Sequence, residues 1–184
     1  MKPVKFLFRI CALTVSAVAM VFVFSGCATA SQPAAMTANF SAATVKKHPV
    51  SASLQVSGGG ETSAMGASNI SNADFTAAIK SSIEQSGLFA KLSDDAADYR
   101  LTAHIVRLDR PMFGASFTVE LEVNWRLMRA TDQKVVWEKA IRASFTATMS
   151  DAFVGTTRLR LANEGAARAN IKDAIDQMSA LTLP

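Results

Sequence analysis

Two cysteines, two histidines and one tyrosine are all that the 184 residues contain of those types. The shortage of cysteine excludes a disulfide-stapled scaffold, which draws on four or more. A structural zinc site takes four ligands from cysteine and histidine, so this chain would have to commit every one it owns. Long apolar runs are missing too. The longest apolar stretch, Ile10 to Phe24, falls short of the ~20 residues that span a bilayer as a helix. The Gly58-Gly59-Gly60 stretch lacks the GK[ST] ending of a phosphate-binding loop, and no G-x-S-x-G elbow occurs. The net charge of +4 contains no basic patch, which argues against a nucleic-acid partner.

The first residues read as a leader. Lys2, Lys5 and Arg9 precede the apolar stretch, the n-region and h-region of a secretory signal. Three of the 19 basic residues fall there, so the rest is close to balance with the 15 acids. The leader ends in Phe24-Ser25-Gly26-Cys27, which resembles the lipobox of bacterial lipoproteins. That pattern prefers leucine where Phe24 stands. Small residues admit the peptidase, and the thiol of Cys27 is the nucleophile that takes the lipid. The resemblance implies residues 1–26 as signal peptide and Cys27 as the lipidation site, with palmitate-like chains tethering the protein to a membrane. Ala28 after the cysteine, rather than Asp, implies the periplasmic face of the outer membrane. Cys11 leaves with the signal, so no thiol or disulfide remains in the mature domain.

Residues 27–49, rich in Ala, Ser and Thr with Pro33 and Pro49, read as a flexible tether. Lys46, Lys47 and His48 near its end read as part of that solvated linker, with a place beside lipid headgroups as the alternative. A single periplasmic domain is expected over residues 50–184. Residues 50–56 alternate as a short strand. Ser71 and Asp74 approximate a capping box ahead of a helix bearing Phe75, Ala78, Ile79 and Ile83, and Gly87 is its stop. Tyr99, Leu101, Ala103 and Ile105 mark a second strand. Phe117, Val119, Leu121, Val123, Trp125 and Leu127 mark a third, with one wet face. Val135, Trp137, Ile141, Ala143 and Phe145 mark a fourth, interrupted by Lys139. The expected hairpin register sets Trp125 opposite Trp137, Leu121 opposite Ile141, Phe117 opposite Phe145 and Glu120 opposite Arg142. A last helix runs to about Leu181. Its second face, with Ala162, Gly165, Ala166 and Ala169, would admit another helix.

The expected fold class is α+β: a two-layer sandwich of order β-α-β-β-β-α, a four-stranded mixed sheet with two helices on one face. That order brings three loops to one end of the sheet: 58–66, 109–116 and 150–157. Met112, Phe113, Phe153 and Val154 are large apolar residues in those loops and form the candidate contact site for a partner or a lipid. The competing reading folds Phe113 and Phe153 inward to plug the open end of the core.

The leader, the tether and this element order resemble small envelope lipoproteins, in particular the lipopolysaccharide-assembly and ABC-transport auxiliary lipoproteins. Local texture is similar at Ser86–Phe89, Val135–Trp137 and Ala162–Ile171. The resemblance covers roughly residues 50–181. It implies a non-enzymatic accessory of an envelope transport or assembly complex, with protein partners there, and carries over no functional residues. The alternative is a module binding lipid, glycolipid or cell-wall fragments. No cofactor, metal or catalytic set is expected. His104 falls on the wet face of the second strand. Asp94, Asp95 and Asp98 lack the glycine turn and bidentate glutamate of a calcium loop. Glu120 and Glu122 read as a solvated pair beside arginines rather than glycosidase carboxylates. Glu164 reads as a first-turn acid or the partner of Lys139 or an arginine.

Overall fold

A computed structural model describes residues 28–40, 45–63, 67–94 and 96–183. Residues 1–26, expected to be a signal peptide, lie outside the described residues, as do Cys27 and Asp95. The elements in chain order are α1 (Pro33–Met36), β1 (His48–Ser57), α2 (Asn72–Ser86), β2 (Phe89–Leu92), β3 (Tyr99–Asp109), β4 (Phe117–Arg129), β5 (Val135–Ala147) and α3 (Gly155–Ser179).

The sheet has five strands in the order β2-β1-β3-β4-β5, one more than expected. β1 is parallel to both β2 and β3, and the later pairs are antiparallel. The added strand has four residues, too few for alternation to announce it. It forms because the chain leaves α2 through Gly87, at φ 66°, directly beside β1. The cap of α2 is as expected: the Ser71 hydroxyl accepts from Asp74 N–H at 3.0 Å. The helices cover one face. α2 lies over β1 and β2, and α3 over β4 and β5.

The apolar alternation of β3 and β4 is buried throughout on that side, from Tyr99 to Ile105 and from Phe117 to Leu127. The hairpin register differs from the expected one by two residues. Trp125 faces Lys139, Leu121 faces Ala143, Phe117 faces Ala147 and Glu120 faces Ser144. A shift of two keeps every side chain on its own face, so burial cannot choose between the two. The connection chooses. Gln133 takes a left-handed turn at φ 58°, Arg129 N–H donates to Lys134 O at 2.8 Å, and the ladder is irregular at Leu127/Met128. The wet face stays complementary with other partners: Arg142 pairs Glu122 at 3.1 Å, and Arg126 pairs Glu138 at 2.9 Å. Lys139 is exposed on the edge strand, as its interruption of the apolar set suggests.

Residues 31–40 are packed, not a free tether. Met36 and Ala38 are fully buried. Gln32 N–H donates to Glu164 Oε1 at 2.8 Å, Arg168 Nη1 to Ala35 O at 2.7 Å, and Ala38 N–H to Ser82 Oγ at 2.9 Å. Lys172 Nζ sits 5.6 Å over the Phe40 ring, and Lys46 Nζ donates to Leu181 O at 3.0 Å. Partners at 164, 168 and 172 advance along α3 as the segment advances, and Leu181 follows just past its end. It is a strap laid parallel to that helix. His48 is buried at the head of β1, its Nε2 3.0 Å from Met178 O. Composition suggested a linker because small and polar residues offer little apolar surface to bury, but Met36 and Ala38 are buried all the same.

Of the acidic loop, Asp94 pairs Lys80 at 3.0 Å. Asp98 clamps β1 instead: its Oδ2 accepts from Ser51 Oγ at 2.7 Å and from Ser51 N–H at 2.8 Å. The Ser51 hydroxyl, then the Ser51 amide, hold this carboxyl below its ordinary value of 3.8. A carboxyl whose folded value is depressed stabilises the fold above its unfolded value and loses that contribution as pH falls through the folded one. Asp98→Asn should therefore melt below the wild type at pH 7. The gap should close below about pH 4, read from thermal midpoints across the range.

Candidate functional site

Parallel β1 and β3 end where antiparallel β4 begins and β5 ends, so residues 58–63 and 67–71 and the loops at 110–116 and 148–154 share one end of the sheet. Both long helices start there as well. Arg158, in the first turn of α3, ties this end together. It is 6% exposed. Its Nη1 donates to Ala152 O and Phe153 O, both at 2.9 Å, and its Nη2 to Gly114 O at 3.2 Å. Its guanidinium lies 5.1 Å over the Phe117 ring. One cation thus joins two loops by their carbonyls. On the third loop, Ser68 O accepts from Arg110 Nη1 and from Asn163 Nδ2.

The 148–154 loop is ordered from within. Thr148 N–H and Oγ1–H both donate to Asp151 Oδ2, at 2.7 and 2.8 Å. Those two bonds, the amide first, hold the Asp151 carboxyl below its ordinary value. The backbone is pinned while the apolar side chains point away from it. Met112, Phe113 and Phe153 are 83%, 85% and 82% exposed, and Val154 and Met149 are each 50% exposed. At that exposure Phe113 and Phe153 are not plugs of the core. Replacing both, as Phe113→Asp with Phe153→Asp, should leave the unfolding free energy within about 0.5 kcal/mol of wild type, read by urea unfolding.

Beside the exposed residues lies an open groove of about 680 Å³. Leu108, Met112, Phe117 and Leu159 supply its apolar wall, and Asp109 and Arg110 its polar rim. The four sequence-selected contact residues fall at this one end, with Met112 in the groove wall.

The other candidates sit elsewhere. His104 is on the wet face, but it is not isolated: Ser57 Oγ lies 2.9 Å from its Nδ1. The parallel β1–β3 pairing, expected from the crossover order, places them side by side in a register that sequence reading did not supply. Among the described residues no carboxylate bonds the other ring nitrogen to complete a triad. Glu120 and Glu122 are salt-bridged surface groups, paired to Arg107 at 3.7 Å and Arg142 at 3.1 Å. Glu164 is neither in the first turn of α3 nor paired with Lys139. It is 1% exposed and takes Arg160 Nη1 at 2.7 Å. The i,i+4 spacing of Arg160 and Glu164 was a signal available in the sequence. Gly165 receives the Phe145 ring of β5, not another helix; a Cβ there would lie 2.2 Å from Phe145 Cγ. Among the described residues no group of three His, Cys, Asp or Glu could hold a metal ion. Among them also, no helix is long and apolar enough to cross a membrane.

No family model matches the chain, and no curated protein matches it. Solved structures do. Protein XCC0632 from Xanthomonas campestris, described under the family DUF330, is 16% identical, with 82% of this chain and 94% of that one aligned at a TM-score of 0.62. The hypothetical protein CT253 from Chlamydia trachomatis is 12% identical over 72% of this chain and 99% of that one, at 0.51. These likenesses show the fold. A minor lipoprotein from Acinetobacter baumannii is 12% identical over 71% of this chain and 92% of that one, at a looser 0.48.

Proposed function

We propose that this chain is a bacterial envelope lipoprotein, acylated on Cys27 and held on the periplasmic face of the outer membrane. In this reading it serves as a non-enzymatic accessory or assembly component of an envelope transport complex. The observation that carries the reading is the leader: a basic start, an uncharged apolar run, and small residues immediately before Cys27. The compact domain and its exposed apolar loops support a role in contact rather than turnover.

Radiolabelled palmitate should enter the wild-type protein. Cys27→Ser should take up none and should accumulate with its leader attached, a loss of lipid near completeness. Label in the variant, or none in the wild type, ends the lipoprotein reading. Affinity capture from detergent-extracted envelopes should recover a stable protein partner; repeated recovery of the monomer alone removes the accessory role. The groove favours a second reading, a module that binds lipid, glycolipid or cell-wall fragments. Native mass spectrometry of the purified protein would then show a bound ligand.

A further inference from the structure

The strap changes what the anchor does. With a free tether over 27–49, the domain could drift far from the bilayer. Instead, the chain is captured at Ser31, whose N–H donates to Asn69 O at 3.4 Å, and at Gln32, bonded to Glu164. Four Cα steps separate Cys27 from Ser31, about 15 Å at full stretch. The point of capture is the loop end. Asn69 follows Ser68, whose carbonyl is held by Arg110 and Asn163. Glu164 lies on the half of α3 nearer that end, and the strap then runs away from it, past Ala35 and Phe40.

We infer that the loop end is the face this domain lays on the bilayer, with Met112, Phe113, Phe153 and Val154 entering the interface beside the acyl chains of Cys27. The inference rests on the acylation proposed above. Three observations converge on a bilayer as occupant. The chain leading to Cys27 departs at this end and is too short to reach the other: from Glu164, where the strap is captured, α3 runs on to Ser179, about 22 Å of helix. The patch consists of separate, outward-pointing apolar side chains, the form that suits a fluid interface. Their backbones are already ordered by Arg158 and Asp151, so insertion requires no refolding. Asp151, ionised at the tip of its loop, limits the depth to the headgroup region.

The mature chain has no free thiol once Cys11 is removed and Cys27 acylated, so one added cysteine labels uniquely. Phe113→Cys, Phe153→Cys and Asp132→Cys, the last in the turn at the opposite end, would each carry a nitroxide. The acylated proteins would be placed in vesicles of phosphatidylethanolamine and phosphatidylglycerol. Relaxation by oxygen, which concentrates in lipid, is compared with relaxation by a water-soluble nickel chelate. The oxygen-to-nickel ratio at 113 and 153 should exceed that at 132 several-fold. Equal ratios at all three sites overturn the inference. Labels at 113 and 153 shielded from both agents indicate a protein against the patch and overturn it too. The N-terminal peptide is weighed in the same samples. Acylated Cys27 with wet loops defeats this inference alone, whereas a peptide without acyl chains defeats the lipoprotein reading and this inference together.

Discussion

Trp125→Ala is expected to lower the unfolding free energy by about 3–5 kcal/mol, the largest effect of any single substitution in the sheet. Trp125 is fully buried at the centre of β4. Its ring stands 6.3 Å from that of Phe75 on α2, and its indole N–H donates to Asn170 Oδ1 on α3 at 2.9 Å. One side chain therefore joins the sheet to both long helices. The same Asn170 donates from Nδ2 to Ile141 O at 2.8 Å and Leu121 O at 3.3 Å, so the amide bridges two strands as well. Asn170→Leu keeps comparable bulk but leaves the indole and both carbonyls without it. Each buried group so stranded costs about 1–3 kcal/mol; relaxation should bring the total to about 2–4 kcal/mol. The two losses share one hydrogen bond, so the double variant should cost less than their sum. Urea unfolding of the four proteins reads the coupling, and strict additivity would show that the Trp125–Asn170 bond contributes nothing.

Gly58→Ala should cost about 2–5 kcal/mol. Gly58 ends β1 at φ 84°, where an L side chain adds about 1–2 kcal/mol of backbone strain. A Cβ there would also lie 2.2 Å from Ile105 O. That atom is strand backbone, which cannot swing aside as a side chain can, so overpacking adds about 1–3 kcal/mol. The residue looked like one glycine of a flexible loop. It is a tight turn against β3, beside the irregularity at Ile105/Arg107 in the β3–β4 ladder. An alanine variant as stable as wild type in the same unfolding assay would show that the turn rearranges freely.

Much of the fold was legible in local patterns. Period-two alternation marked β3 and β4, because a half-buried sheet demands apolar residues on one face only. Ser71, Asp74 and Gly87 marked the ends of α2 through the backbone groups that a helix leaves unpaired. The convergence of three loops followed from strand directions alone. The contact residues could be selected from their size and setting, but their exposure could not. Whether Phe113 and Phe153 turn outward depends on how Arg158 holds their loops, and an arginine in a first helical turn carries no such message in sequence.

The amino-acid order by itself determined which face of each strand is buried and where α2 begins and stops. Those follow from interactions among near neighbours and from the exclusion of apolar surface from water. Only the tertiary structure decided the two-residue register of the β4–β5 hairpin, the short edge strand, and the strap of residues 31–40 along α3. The register depends on the left-handed turn that Gln133 adopts, whereas the edge strand and the strap depend on contacts between distant parts of the chain, such as His48 with Leu88 and Gln32 with Glu164. Such contacts leave no periodic trace in either segment, and they exist only once the helices have docked on the sheet.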